Sequence, residues 1–248
     1  MKFLRDTATV FAREAGPALR DPVGLFFAMG QPLLFLLLFG SLLNGAPGMG
    51  SSWQWFVPGI LVMMCLFGPM GAGHSLLIEL TGGSLERMLV TPLNRTAMLI
   101  GRTLKESITL LAQAVLIIAL ATALGLRLYP AGMLAALVML TVFGIGLSAL
   151  SFVLAIKSQP SGNLFWIVTQ TLMFPIVMLS GVLLPMDFGP AWLQAAGSVN
   201  PISYIVDAQR ALFSGDFANM SVLYGGIAAV VIAMAGLLLG TRTMRRGI

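Results

Sequence analysis

The sequence predicts an all-α integral membrane protein with six spans, and three observations carry that prediction. Of the 248 residues, 58% are hydrophobic and only 9% are charged, with a mean hydropathy of +0.94; a soluble domain carries roughly 25% charged residues. Six apolar runs are long enough to cross a bilayer core, which takes about 20 residues as a helix. The basic residues sort strongly to one side of those runs.

The six runs are 23–43, 55–77, 108–126, 133–156, 164–184 and 222–241. Backbone groups in lipid must be satisfied within the segment, so each run is a helix. Pro32, Pro58, Pro69 and Pro175 fall within or near the ends of runs, where neighbouring helices can satisfy the carbonyls that a proline frees. The first run follows about twenty mixed residues and lacks a small-x-small cleavage site, so it reads as a retained span rather than a signal peptide.

An even number of spans puts both termini on one side. With them fall Lys2, Arg5, Arg13, Arg20, Arg87, Arg95, Arg102, Lys105, Lys157, Arg242, Arg245 and Arg246, against Arg127 and Arg210 on the other. Twelve against two places both termini in the cytoplasm. A net charge of +5 spread over short segments is a topology signal and no nucleic-acid stripe.

Residues 1–22 form their own element. On a helix, Lys2, Arg5, Asp6 and Arg13 fall on one side and Phe3, Leu4, Val10 and Phe11 on the other. This predicts an amphipathic helix in the cytoplasmic interface, with Glu14 breaking the apolar side and Pro17 stopping or bending the helix. It either anchors the topology or docks a partner. Residues 23–248 form a single six-span transmembrane domain.

Between the second and third runs lies Glu79–Arg95, ELTGGSLERMLVTPLNR, with two of the nine acidic and two of the fourteen basic residues. Gly82-Gly83 breaks the preceding helix. Ser84 can cap a short helix over 85–90, with Glu86 near its positive end. Thr91 can cap the next helix, with Pro92 at its first position. Two caps imply an ordered helix, bearing Glu86 and Arg87 outward, rather than a slack connector.

On the opposite side, residues 44–52 and 127–130 make short loops. Residues 185–220 are too apolar for a solvated loop and too broken to span. Gly189-Pro190 precedes a short run. Asn200 and Pro201 make an N-cap and first-turn pair, and Ser214-Gly215 ends the helix. The segment reads as a re-entrant helical hairpin, or else as a surface helix with Asp207 and Arg210 at the headgroups.

Much chemistry is excluded. There is no Gly-x-x-x-x-Gly-Lys-Ser/Thr phosphate loop; the chain has three lysines, none after a glycine-rich turn. One cysteine, Cys65, and one histidine, His74, both read as packing residues. The spans lack midplane Asp, Glu, Lys and Arg, which ion-coupled carriers need. The methionines of the spans, Met63, Met64, Met173 and Met178 among them, read as packing more than as a cargo path.

Glu79…Gly83…Glu86-Arg87…Thr91-Pro92…Arg95 after the second span, and Ser180-Gly181…Pro185…Pro190…Trp192-Leu193…Asn200-Pro201…Tyr204…Arg210 before the sixth, together resemble the membrane subunit of ABC type-2 exporters. The resemblance covers almost the whole chain and is nearest to the daunorubicin-type drug-resistance branch. It implies a cytoplasmic coupling helix around Glu86 and Arg87 seated on an ATPase. It also implies an external gate from the hairpin with Tyr204 and Arg210. The partners implied are two copies of an ABC ATPase subunit and a second copy of this permease or a homologue. ATP and magnesium would be bound on the ATPase, with no cofactor in this chain. The cargo implied is a hydrophobic or amphiphilic compound crossing a bacterial or archaeal cytoplasmic (inner) membrane. A lipid-linked glycan exporter shares the architecture. A motor-free channel or carrier, or a scaffold, remains the alternative from other classes.

Overall fold

A computed structural model describes residues 2–20, 22–42, 52–82, 95–183, 186 and 189–246. Among these the chain is helical, without a strand. In chain order the helices are α1 (Lys2–Arg20), α2 (Pro22–Leu42), α3 (Ser52–Thr81), α4 (Arg95–Ala123), α5 (Pro130–Lys157), α6 (Asn163–Met178), α7 (Ala191–Val199), α8 (Pro201–Phe213) and α9 (Met220–Arg246).

Four of these, α3, α4, α5 and α9, are long and apolar enough to cross a membrane. The predicted first and fifth runs fall on shorter apolar stretches among the described residues, Met29–Leu42 and Asn163–Met178. The fifth is shortened by its own backbone. Its middle, Ile167–Leu172, is a π-helix, and the chain turns at Leu179–Val182, where Gly181 sits at φ 70°. A left-handed φ there suits glycine, which has no Cβ to clash.

α3 is the axis of the molecule. Its 30 residues span about 45 Å at 1.5 Å each. It is buried nearly end to end, with Phe56, Ile60, Leu61, Leu66 and Leu76 fully enclosed. α5 packs along it, α8 covers its first turns, and α9 packs on α5 and α8. Two apolar clusters result. The larger gathers Phe56, Ile60, Phe143, Ile205 and Phe213, and the smaller gathers Leu76, Leu99, Phe152 and Phe165. Met63 and Met64 belong to the larger cluster as packing residues, and Cys65 is buried in it with Sγ 3.6 Å from the Leu140 carbonyl. His74 packs edge-on against Trp166 with centroids 5.0 Å apart.

Small residues set the α5–α9 crossing. A Cβ at Gly146 would lie 2.7 Å from Ala233, and one at Gly236 would strike the Gly146 carbonyl. Without a hydrophobic drive between helices in lipid, close backbone contact supplies the association.

Three expectations are corrected. α1 continues through Pro17 to Arg20; a proline removes one helix bond, and a helix held by tertiary packing survives the loss, as α1 does against α4 and α2. Asp6, expected on the polar side, is buried with Val10 because α1 lies on α4 at Gly101 and presents a mixed face to protein, while Phe3 and Leu4 of the apolar side face away from the helices. The third helix begins at Arg95 and ends at Ala123, ahead of the predicted 108–126 run. Its polar first turns are drawn into ion pairs rather than left in water, and Gly125 at φ 107° turns the chain out.

Candidate functional site

Two polar constellations sit at opposite ends of α3. The first lies where α3 ends and α4 begins. Glu79, near the last turn of α3, meets the Arg102 Nη2 of α4, and Glu14 of α1 meets the same nitrogen at 3.2 Å. Arg102 is 4% exposed. A buried cation survives only with partners, and two carboxylates from two other helices supply them. Lys105 and Glu106 pair beside it at 2.7 Å.

Among the residues expected to couple to a motor, Glu79 is thus an ion-pair partner and Arg95 opens α4. Gly83, Glu86, Arg87, Thr91 and Pro92 lie outside the described residues, and so does the short helix expected over 85–90. α3 ends at Thr81 with Gly82 in a turn, where the glycine pair was expected to break it.

The second constellation lies under α7 and α8. Pro190 caps the start of α7 in extended backbone. The Asn200 side chain accepts from Ile202 N at 3.0 Å, and Pro201 takes the first helical position, so α8 starts where its sequence signals place it. Asn200 Nδ2 also donates to the Ile176 carbonyl at 2.9 Å, and Ser203 Oγ donates to Leu179 O at 3.2 Å. These bonds fasten the hairpin to the end of α6. Tyr204 Oη donates to Ser198 O at 2.7 Å and ties α8 to α7. Pro185 lies outside the described residues.

Arg210 is the centre of this end. Its Nη2 donates to the carbonyls of Gly181 at 2.7 Å and Val182 at 3.4 Å, and its Nε to Trp55 O at 3.4 Å. Its guanidinium carbon lies 3.6 Å from the Trp55 ring centroid, and Asp207 approaches Nη1 at 3.6 Å. Burial lowers its pKa to about 10, opposed by Asp207, so it stays a cation at neutral pH. One side chain on α8 therefore holds the start of α3 and the turn after α6. Gly59 lets that turn close on α3, since a Cβ there would lie 2.8 Å from Val182 O.

A cavity of about 420 Å³ opens beside these groups, walled by Trp55, Ser180, Met186, Gln194, Ser203, Tyr204, Asp207 and Arg210 among others. Its walls mix rings and a thioether with hydroxyls and one ion pair, which suits an amphiphile better than a small ion.

Sequence reasoning missed Trp55, Gln54 and Gln209 here. Gln54 donates to Phe213 O at 2.6 Å and Arg127 O at 3.1 Å, and accepts from Arg127 N at 3.1 Å. It clamps the start of α3 to the end of α8 and to the loop before α5. Gln209, wholly buried, donates to Ala136 O at 2.9 Å. The only available signal was a glutamine inside an otherwise apolar pattern.

With this geometry in view, comparison with known proteins is specific. The family model described as ABC-2 type transporter matches residues 5–214. A chain of Cyanophora paradoxa named as a transport permease, ycf38, is 32% identical over 202 residues, covering 79% of this chain and 69% of the relative. The daunorubicin resistance ABC transporter permease protein DrrB1 of Streptomyces coeruleorubidus is 27% identical, covering 78% of this chain and 70% of the relative. A multidrug ABC transporter permease, as its name describes it, YbhR of Escherichia coli, is 29% identical over 74% of this chain and 50% of its own length. The chain belongs to the ABC-2 type transporter family, as a membrane-embedded permease subunit of an ABC transporter.

Proposed function

We propose that this chain is the membrane half of an exporter that moves a hydrophobic or amphiphilic compound out of a bacterial or archaeal cytoplasmic (inner) membrane. ATP and magnesium act on a separate ABC ATPase, present in two copies. The single observation that carries this reading is α3 itself. One buried helix, about 45 Å long by its 30 residues, carries the Glu79 ion pair at one end and the Trp55–Arg210 contact at the other. A displacement at the cytoplasmic end is delivered to the hairpin cavity with little loss, because a packed helix does not compress.

Six spans fit this reading, with α2 and α6 completing the four longer helices. α6 touches the rest of the chain sparsely, and it exposes Gln170 and Thr171, as α2 exposes Gln31. Polar side chains on an apolar helix need partners in lipid. A second copy of this permease, or a homologue, supplies them in the proposed assembly, and lipid covers the apolar remainder. Residues 83–94 carry Glu86 and Arg87 to the ATPase, and α7 and α8 form the external gate. The drug-resistance names of relatives support export of a drug-like compound.

Orientation is the first test. In a Cys65→Ser background, Gly48→Cys should react with an impermeant maleimide added outside intact cells, and Ser84→Cys only after permeabilisation. The reverse pattern would refute the placement of the ATPase-facing side.

A further inference from the structure

The ion pairs of α1 have a consequence that its reading as an interfacial anchor does not contain. We propose that Arg102 is a positioning residue, a three-way joint that makes α1 move as one body with the ends of α3 and α4. This rests on the exporter reading and adds a route by which motor force spreads from the segment between α3 and α4.

One nitrogen, Nη2, meets Glu14 of α1 and Glu79 of α3. Both carboxylates depend on that one cation, so its loss releases the two pairs at once. Arg102 is 4% exposed, and its partners are 24% and 26% exposed, so water screens the joint weakly. Removing the cation leaves two carboxylates facing each other across three helices, a repulsion that drives α1 away. The contact beside it is tight: a Cβ at Gly101 would lie 2.9 Å from Val10 Cβ, which places the α1 and α4 backbones in close apposition one residue from Arg102. Because a single nitrogen does the bridging, lysine can replace it in kind; the arginine fork is not what the joint uses.

The test has two arms in the full-length chain. Val10 is 3% exposed where α1 lies on α4, so in Cys65→Ser, Val10→Cys the rate of maleimide labelling reports whether α1 is docked and needs no ATPase. Arg102→Gln should raise the labelling rate at least about fivefold, and Arg102→Lys should hold it within about twofold. In proteoliposomes with a co-purifying ABC ATPase, export per ATP hydrolysed should fall at least about tenfold for Arg102→Gln, at unchanged ATPase assembly, and recover with Arg102→Lys. An unchanged labelling rate in Arg102→Gln would overturn the joint. Unchanged export per ATP with α1 released would overturn the positioning role, and so would Arg102→Lys behaving as badly as Arg102→Gln. Should Arg102→Gln fail to reach the membrane, Glu14→Gln keeps the Arg102–Glu79 pair and carries both readouts: faster labelling with a fall in export per ATP supports the joint, and no change overturns it. If the unaltered chain shows no ATP-dependent export, the exporter reading fails, while the labelling arm still decides the joint.

Discussion

Arg210→Ala is expected to cut export at least about tenfold while the permease still assembles with its ATPase. The side chain supplies hydrogen bonds to Gly181, Val182 and Trp55 and stacks on the Trp55 ring. Truncation leaves those carbonyls short of a donor, at about 1–3 kcal/mol for such a loss. The cost falls on the turn after α6 and on its seat against α3, so the hairpin loses its registration with the central helix. Arg210→Lys should recover little. A lysine presents a point charge, whereas this site uses two guanidinium nitrogens and a flat face. Export from proteoliposomes, read beside co-purification of the ATPase, checks the prediction. Loss of ATPase binding would place the defect elsewhere than at the gate.

Gly236→Val is expected to destabilise the membrane fold by about 3 kcal/mol, the upper range for overpacking. A Cβ at 236 would strike the Gly146 backbone, and α5 and α9 share the most extensive helix pairing among the described residues. The helices would have to separate along that whole line, which small residues hold together in lipid. Gly226 lies on the same helix with nothing within 4 Å of its Cβ position. Gly226→Val is therefore the matched control and should leave stability within about 0.5 kcal/mol. Thermal aggregation of the detergent-solubilised proteins separates the two. Equal midpoints would contradict the close α5–α9 approach.

Local signals were legible wherever the physics is local. Asn200 and Pro201 mark the start of α8 because a cap and a preset φ need no distant partner. Gly215 marks its end through a left-handed φ of 77°. The long apolar runs of α3, α5 and α9 read directly as helices able to span. What escaped depends on distant residues. Amphipathicity put Asp6 in water and had Glu14 break an apolar side, yet Asp6 is buried and Glu14 pairs with Arg102 from another helix. Arg102 lies 23 residues from Glu79, and no spacing rule joins them. The π-helix of α6 follows from no composition signal, and neither does the turn after Met178 that leaves the run short of a full-length apolar helix. Tyr204 and Arg210 were singled out by resemblance and Asp207 as a charge on an apolar helix; that they share a cavity wall with Trp55 emerged only from the packing.

The central claim is that power arrives from another chain at residues 83–94 and leaves as movement at the hairpin. Reconstitution tests it most directly. Proteoliposomes holding this permease and a co-purifying ABC ATPase should accumulate a fluorescent apolar amphiphile only when ATP is present on the ATPase side. Glu86→Ala should abolish that accumulation while ATP hydrolysis continues. Accumulation by the permease alone, without ATPase or ATP, or undiminished coupling in Glu86→Ala, would contradict the account.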